Sequence, residues 1–168
     1  MNVAIIQARM GSTRLPNKVL LKLAGKTVLE HVVSRASESK FINEIIVATT
    51  ISPLDLEIVA FCAAKKIRVF VGSEQDVLDR YYQAARLLKP ENVIRLTSDC
   101  PMIDPEIIDL IGQKHIDGKA DYTSNTLNET YPDGLDAEVF TFTSLEKAWS
   151  KAALLSEREH VTPFIKKN

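Results

Sequence analysis

The sequence predicts an α/β fold, a mostly parallel sheet flanked by helices with a small α+β addition, and three observations support this. Short apolar runs alternate with longer segments whose apolar residues recur at helical spacing. The polar stretches most suited to bind a ligand begin where predicted strands end, as in open parallel sheets. Beyond residue 119 the texture changes to an acidic stretch with strand-like alternation. The 168 residues are enough for one domain, 1–168, with a sizeable core.

Taken in order, Val3-Ala4-Ile5-Ile6 reads as a buried first strand that breaks into a polar loop. Val28, Leu29, Val32, Val33 and Ala36 form a helical stripe, and Thr27 with Glu30 a capping box before it. Glu44 to Thr49 is the next strand, and Ile58, Val59 and Cys62 mark a helix entered through Ser52-Pro53. Arg68 to Val71 is a short strand closed by Gly72. Val77, Leu78, Tyr81, Tyr82, Ala85 and Leu88 share one face of a helix, which makes both tyrosines packing residues. Val93 to Leu96 is a strand ending in Thr97-Ser98-Asp99-Cys100-Pro101. Asp104-Pro105 caps a helix carrying Ile107, Ile108 and Ile111. From 120 to 146 there are six acidic residues and no Lys or Arg. Here Tyr131-Pro132-Asp133-Gly134 marks a turn, 137–142 a strand, and Leu145, Ala148, Trp149 and Ala152 a helix. Ser156 with Glu159 is a further capping-box pattern, and this part is expected to close over one end of the sheet.

Composition narrows the function classes. A net charge of -1 argues against a general nucleic-acid binder, which is usually basic over a whole face. No run approaches the ~20 apolar residues of a membrane span, and no signal peptide is evident. Cys62 and Cys100 are too few for a disulfide framework and lack metal-ligand spacing. These features predict a cytoplasmic protein without a membrane partner.

The candidate chemistry begins in the loop after the first strand. Residues 1–29 hold five Lys or Arg and no Asp or Glu. Arg9, Arg14 and Lys18 supply positive charge, Gly11 allows close backbone approach, and Ser12 offers a hydroxyl. That set suits a phosphate; its bland alternative is a solvated basic loop. Gly25-Lys26-Thr27 imitates the end of a Walker loop, but the first glycine would fall on Leu20, so a turn into a capped helix is the better reading. No GxGxxG is present for a dinucleotide. Asp99, expected on the same edge as the basic loop, would need a cation between it and phosphate, a role that suits Mg2+. Asp136 and Glu138 fall on one strand face and could bind metal or sugar hydroxyls, or simply face solvent. His31 reads as structural, His115 as a cation at a helix end, and His160 as lining a site or a subunit contact. Cys100 has no evident base and reads as packing.

The stretch IIQARMGSTRLPNKVL followed by TSDCP resembles the cytidylyltransferases of the spore-coat polysaccharide biosynthesis type, related to the CMP-sugar synthetases for sialic acid and Kdo. The likeness continues through GSEQDVLDRYYQAA, DYTSNT, YPDGLDAEVF and SEREHVTPF. It implies a glycosyltransferase-A-like nucleotidyltransferase fold, CTP and a sugar as partners, Mg2+ as cofactor and a possible homodimer. By matching positions, Arg9, Gly11, Ser12, Arg14 and Lys18 would hold the triphosphate, and Ala8 and Ser98 would also bind the nucleotide. Ser73 to Asp76 and Arg80 would lie beside the base and ribose. Asp99 would be the Mg2+ carboxylate, with Arg14 and Lys18 catalytic beside it, and Asn125, Asp136 and Glu138 would face the sugar. Members of the family usually continue past the HVTP-like segment to another acidic motif; this chain stops at Asn168, which the resemblance reads as a short carboxyl end. The residues alone leave open another NTP, a sugar transferase (though Asp-x-Asp is absent), and a catalytically impaired nucleotide-binding module.

Overall fold

The computed structural model describes residues 1–12, 15–128 and 130–168. In chain order the strands are β1 (Asn2–Gln7), β2 (Lys22–Leu23), β3 (Lys26–Thr27), β4 (Glu44–Thr50), β5 (Arg68–Gly72), β6 (Asn92–Thr97), β7 (Tyr122–Ser124) and β8 (Glu138–Thr141). The helices are α1 (Val28–Ala36), α2 (Leu56–Ala64), α3 (Val77–Arg86), α4 (Pro105–Asp117), α5 (Phe142–Lys151), α6 (Leu155–His160) and α7 (Pro163–Lys167). The main sheet runs β5-β4-β1-β6-β8-β7; β2 and β3 form a separate small hairpin.

β1 occupies the middle because Val3 to Ile6 are apolar on both faces and fully buried. Ile6 enters a layer with Leu29, Val32, Ile58 and Ile108, while Ile5 enters the opposite layer with Tyr81, Val93, Phe140 and Leu145. β1 pairs in parallel with β4 and β6, and β4 with β5. Their carboxyl ends therefore share one edge. From β1 the chain builds outward through β4 to β5, then returns to place β6 on the other side. This reversal of strand order leaves a crevice at the ends of β1 and β6, where open α/β sheets bind ligands.

Several sequence expectations change in detail. The acidic part extends the sheet sideways: β8 is antiparallel to β6 and β7 to β8. The expected strand over 137–142 spans only Glu138–Thr141, because the Thr141 hydroxyl accepts from the Ser144 N–H and starts α5. Thr27 caps α1 by accepting from Glu30, but the Glu30 carboxylate turns outward to Lys65 at 2.8 Å, so the box is half made. Gly25, at φ 88°, sits in the β2–β3 turn ahead of that cap, away from any phosphate-loop geometry. Instead of the box expected at Ser156 and Glu159, half of one is made two residues earlier, where the Glu157 carboxylate accepts from the Leu154 N–H and the leucine side chain has no acceptor to return. His115 is not a solvated cation: it is 2% exposed, and burial holds its pKa below the ordinary value.

Candidate active site

The loop after β1 is pinned from beneath. The Ala8 N–H donates to the Ala48 carbonyl at 3.0 Å, and Met10 folds into the core. Asp55, 1% exposed, accepts the Met10 N–H on one oxygen at 2.7 Å and the Thr50 N–H and hydroxyl on the other. Sequence reasoning passed over Asp55; its signal was an acid in the first turn after Ser52-Pro53. With alternate residues anchored, Arg9 and Gly11 remain exposed and Ser12 half-buried. A Cβ at Gly11 would meet nothing within 4 Å among the described residues, which leaves that backbone accessible from their side. Arg14 lies outside the described residues.

The Met10 carbonyl accepts from the N–H groups of Ser12 and Asn17, closing the loop on itself. Asn17, at φ 60°, then turns the chain into a 3-10 segment over Lys18–Leu20, anchored by buried Val19. This delivers the Lys18 ammonium onto a carboxylate oxygen of Asp99. Two expected site residues 81 positions apart thus meet across the crevice. Burial acts to raise the Asp99 pKa, but the Lys18 hydrogen bond and charge outweigh it and hold the carboxyl below its usual range. Ser98 is buried, its N–H donating to the Gln7 carbonyl. Cys100 contacts the Thr97 hydroxyl at 3.1 Å; burial and the charges of Asp99, Asp136 and Asp133 push its thiol up, which is unsuited to a nucleophile. Asp136 lines the same cleft as Thr97 at the end of β6, so the acidic segment reaches that edge of the sheet.

The β5–α3 loop contributes a second wall. The Ser73 hydroxyl accepts from the Asp76 N–H, and Asp76 caps α3 by accepting from the Asp79 N–H at 2.8 Å. Arg80 is 3% exposed; its Nη1 donates to the Ser73 carbonyl, and its buried Nε has no hydrogen-bond partner among the described residues. Burial lowers its pKa, and the positive charge of Arg9 adds to that. A bound anion nearby would offset both effects. Asp76 itself points away, into an ion pair with Arg158.

Beside these elements lies a cleft of about 410 Å³, lined by Arg95, Thr126, Asp136, His160, Thr162 and Lys166 among others. Glu138 stands at its floor, 4% exposed. Its two oxygens receive Arg95, the Tyr122 hydroxyl at 2.5 Å, the Thr162 hydroxyl at 2.8 Å and Lys166 at 3.1 Å. Burial acts to raise its pKa, yet Arg95, Tyr122 and Lys166 prevail and keep it ionised. Glu138 therefore ties β6, β7, β8 and α7 together. Asn125 is similarly occupied: its amide donates to the Leu135 carbonyl and accepts from the Ala137 N–H. It brackets Asp136, which the cleft exposes. Sequence reading gave His160 two possible roles, and the structure places it in the cleft; Thr162 and Lys166 were not foreseen.

Among the described residues no group of three or more His, Cys, Asp or Glu side chains could hold a metal by itself. Asp99 offers one carboxylate at the basic edge, with Lys18 now on it. Mg2+ is commonly held by one or two carboxylates with water and phosphate oxygens, so Asp99 fits a Mg2+ that arrives with a phosphate ligand. No helix among the described residues is long and apolar enough to cross a membrane.

Comparison with known proteins agrees with this geometry. Residues 3–168 match the family described as Cytidylyltransferase. An uncharacterized protein of Methanocaldococcus jannaschii is 46% identical over 166 residues, covering 99% of this chain and 67% of that protein. The spore coat polysaccharide biosynthesis protein SpsF of Bacillus subtilis is 41% identical over 167 residues, covering 96% of this chain and 68% of its own length. The solved structure of a cytidylyltransferase from Leptospira borgpetersenii superimposes with a TM-score of 0.93 at 37% identity, covering 99% of this chain and 71% of that one.

Proposed function

The chain belongs to the cytidylyltransferase family, and from that premise we propose that it moves a cytidylyl group from CTP to a sugar hydroxyl, releasing pyrophosphate. The product would be an activated sugar for a surface polysaccharide or glycan, made in the cytoplasm. The observation that carries this reading is the meeting of Lys18 and Asp99 at the ends of β1 and β6, beside the polar cleft.

In this reaction a sugar oxygen bonds to the α-phosphorus, and the bond from that phosphorus to the bridging oxygen of pyrophosphate breaks. Negative charge grows on the departing pyrophosphate. In this reading Arg9, Lys18 and Arg80 neutralise it, and the contact with Asp99 holds the Lys18 ammonium at the strand ends before the ligand arrives. Mg2+, when bound at Asp99, supplies further neutralisation of phosphate charge. In this reading the cleft holds the acceptor against the α-phosphate, and Asp136, which lines the cleft, takes the hydroxyl proton.

Pyrophosphate release tests this reading, with each NTP, Mg2+ and a panel of sugars including sialic acid and Kdo. CTP-specific release that depends on an acceptor is the expected result. Lys18→Ala and Asp99→Asn should each lower turnover by about 100-fold or more while the protein stays folded, the scale of losing one preorganised electrostatic contact. Wild-type turnover in either variant would remove that residue from the mechanism. CTP binding without release from any acceptor would instead favour a binding module.

A further inference from the structure

One wall of the cleft is strained at a buried residue. Val161 is β-branched and fully buried, yet it has φ 68° and ψ -56°. The Thr162 N–H donates to the His160 carbonyl at 2.8 Å. Together these define a γ-turn of the positive-φ kind, which is rare and strained, and unusual for a β-branched residue. The residues on either side of the turn, His160 and Thr162, both line the cleft.

Such a conformation persists only where its surroundings hold it. The Thr162 hydroxyl is held by Glu138. On the other side, Arg158 lays its fork on Asp76: Nε is 3.1 and 3.0 Å from the two oxygens, and Nη2 is 2.5 Å from one of them. Its remaining nitrogen, Nη1, donates to the Trp149 carbonyl at 2.7 Å. Asp76 is the cap of α3 and the last residue of the β5–α3 loop. A guanidinium fork bound in this way transmits a displacement of its carboxylate, because few other rotamers keep the same bonds.

We propose that Arg158 is a positioning residue: through Asp76 it ties the γ-turn wall to the β5–α3 loop, so that nucleotide occupying that loop resets His160 in the cleft. The inference rests on the CTP reading above, and it adds an order to the site: the acceptor wall takes its final position after the nucleotide is bound.

The chain has three histidines, His31, His115 and His160, so imidazole NMR signals are few, and His160→Asn assigns the third. Mg2+ and CTP are titrated into the full chain while calorimetry follows binding in parallel. The His160 signal should move along the calorimetric isotherm. Arg158→Gln should change CTP affinity by no more than about fivefold, the scale of a part-exposed ion pair, and should lose most of the His160 shift. Arg158→Lys, which keeps the charge without the fork, should retain part of it and serves if the glutamine variant unfolds. Binding without movement of His160, or a wild-type shift in either variant, would overturn the proposal. Absence of calorimetric binding would overturn the CTP reading itself, and this inference with it.

Discussion

At the scale of single residues, the site depends on charges held close to groups that restrain them. Asp99 is the clearest case, because burial and Lys18 push its carboxyl in opposite directions and Lys18 prevails. A depressed carboxyl contributes stability above its unfolded pKa, and that contribution is lost as pH falls through the folded value. Lys18→Ala removes the largest influence opposing burial and leaves only the hydrogen bonds from Thr97 and the backbone. The Asp99 carboxyl, followed by 13C NMR across an acid titration, should then move upward, and no movement would mean that the contact does not persist in solution. Gly72 makes a different demand. A Cβ there would stand 2.8 Å from the Phe70 ring and 3.1 Å from the Arg80 side chain. Gly72→Ala should therefore cost about 1–3 kcal/mol by overpacking and should displace Arg80 as well. Denaturant unfolding reads the first effect and weakened CTP binding the second; a variant as stable as wild type would show that Arg80 yields freely.

At the scale of elements, the parallel strands were legible because each is an apolar run closed by a polar or glycine residue, and β1 is buried on both faces. β7 was not legible: Tyr122–Ser124 has three residues in an acidic stretch, and its pairing comes from β8, where Ser124 meets Glu138, Thr123 meets Val139 and Tyr122 meets Phe140. The basic loop and Asp99 could be paired from sequence because strand ends share an edge. Asp55, Thr162 and Lys166 could not, since each acts through contacts made only after the chain folds back. His115 shows the same limit. On α4 it resembles a helix-end cation, but it contacts Asn92 at the start of β6 and Thr123 in β7, buried between the elements. With its folded pKa lowered, the unfolded chain binds the extra proton, so stability should fall as pH drops below the ordinary histidine value of about 6.5. His115→Gln removes the titrating group. Melting temperatures from pH 7.5 to 5 should flatten in this variant relative to wild type, and parallel curves would place the acid sensitivity elsewhere.

At the scale of the whole molecule, the proposed ligand would touch pieces of chain that are distant in sequence. The loop after β1, the β5–α3 loop and the end of β6 are joined to one another chiefly through the sheet beneath them. A nucleotide lying across them would add a cross-link that the unfolded chain cannot make, and so would stabilise the entire domain. At 100 times its dissociation constant a single ligand contributes about 2.7 kcal/mol. For a domain of this length, each kcal/mol raises the melting temperature by roughly 2–4 °C. Mg2+ with CTP should therefore raise it by about 5–11 °C. ATP or GTP at the same concentration should do much less if the site reads the base. Lys18→Ala should reduce the CTP shift, because it removes one arm of the cross-link between β1 and β6. An equal shift from all nucleotides would point to a triphosphate grip without base selection. No shift from CTP at saturating concentration would mean that the crevice between β1 and β6 is not its binding site.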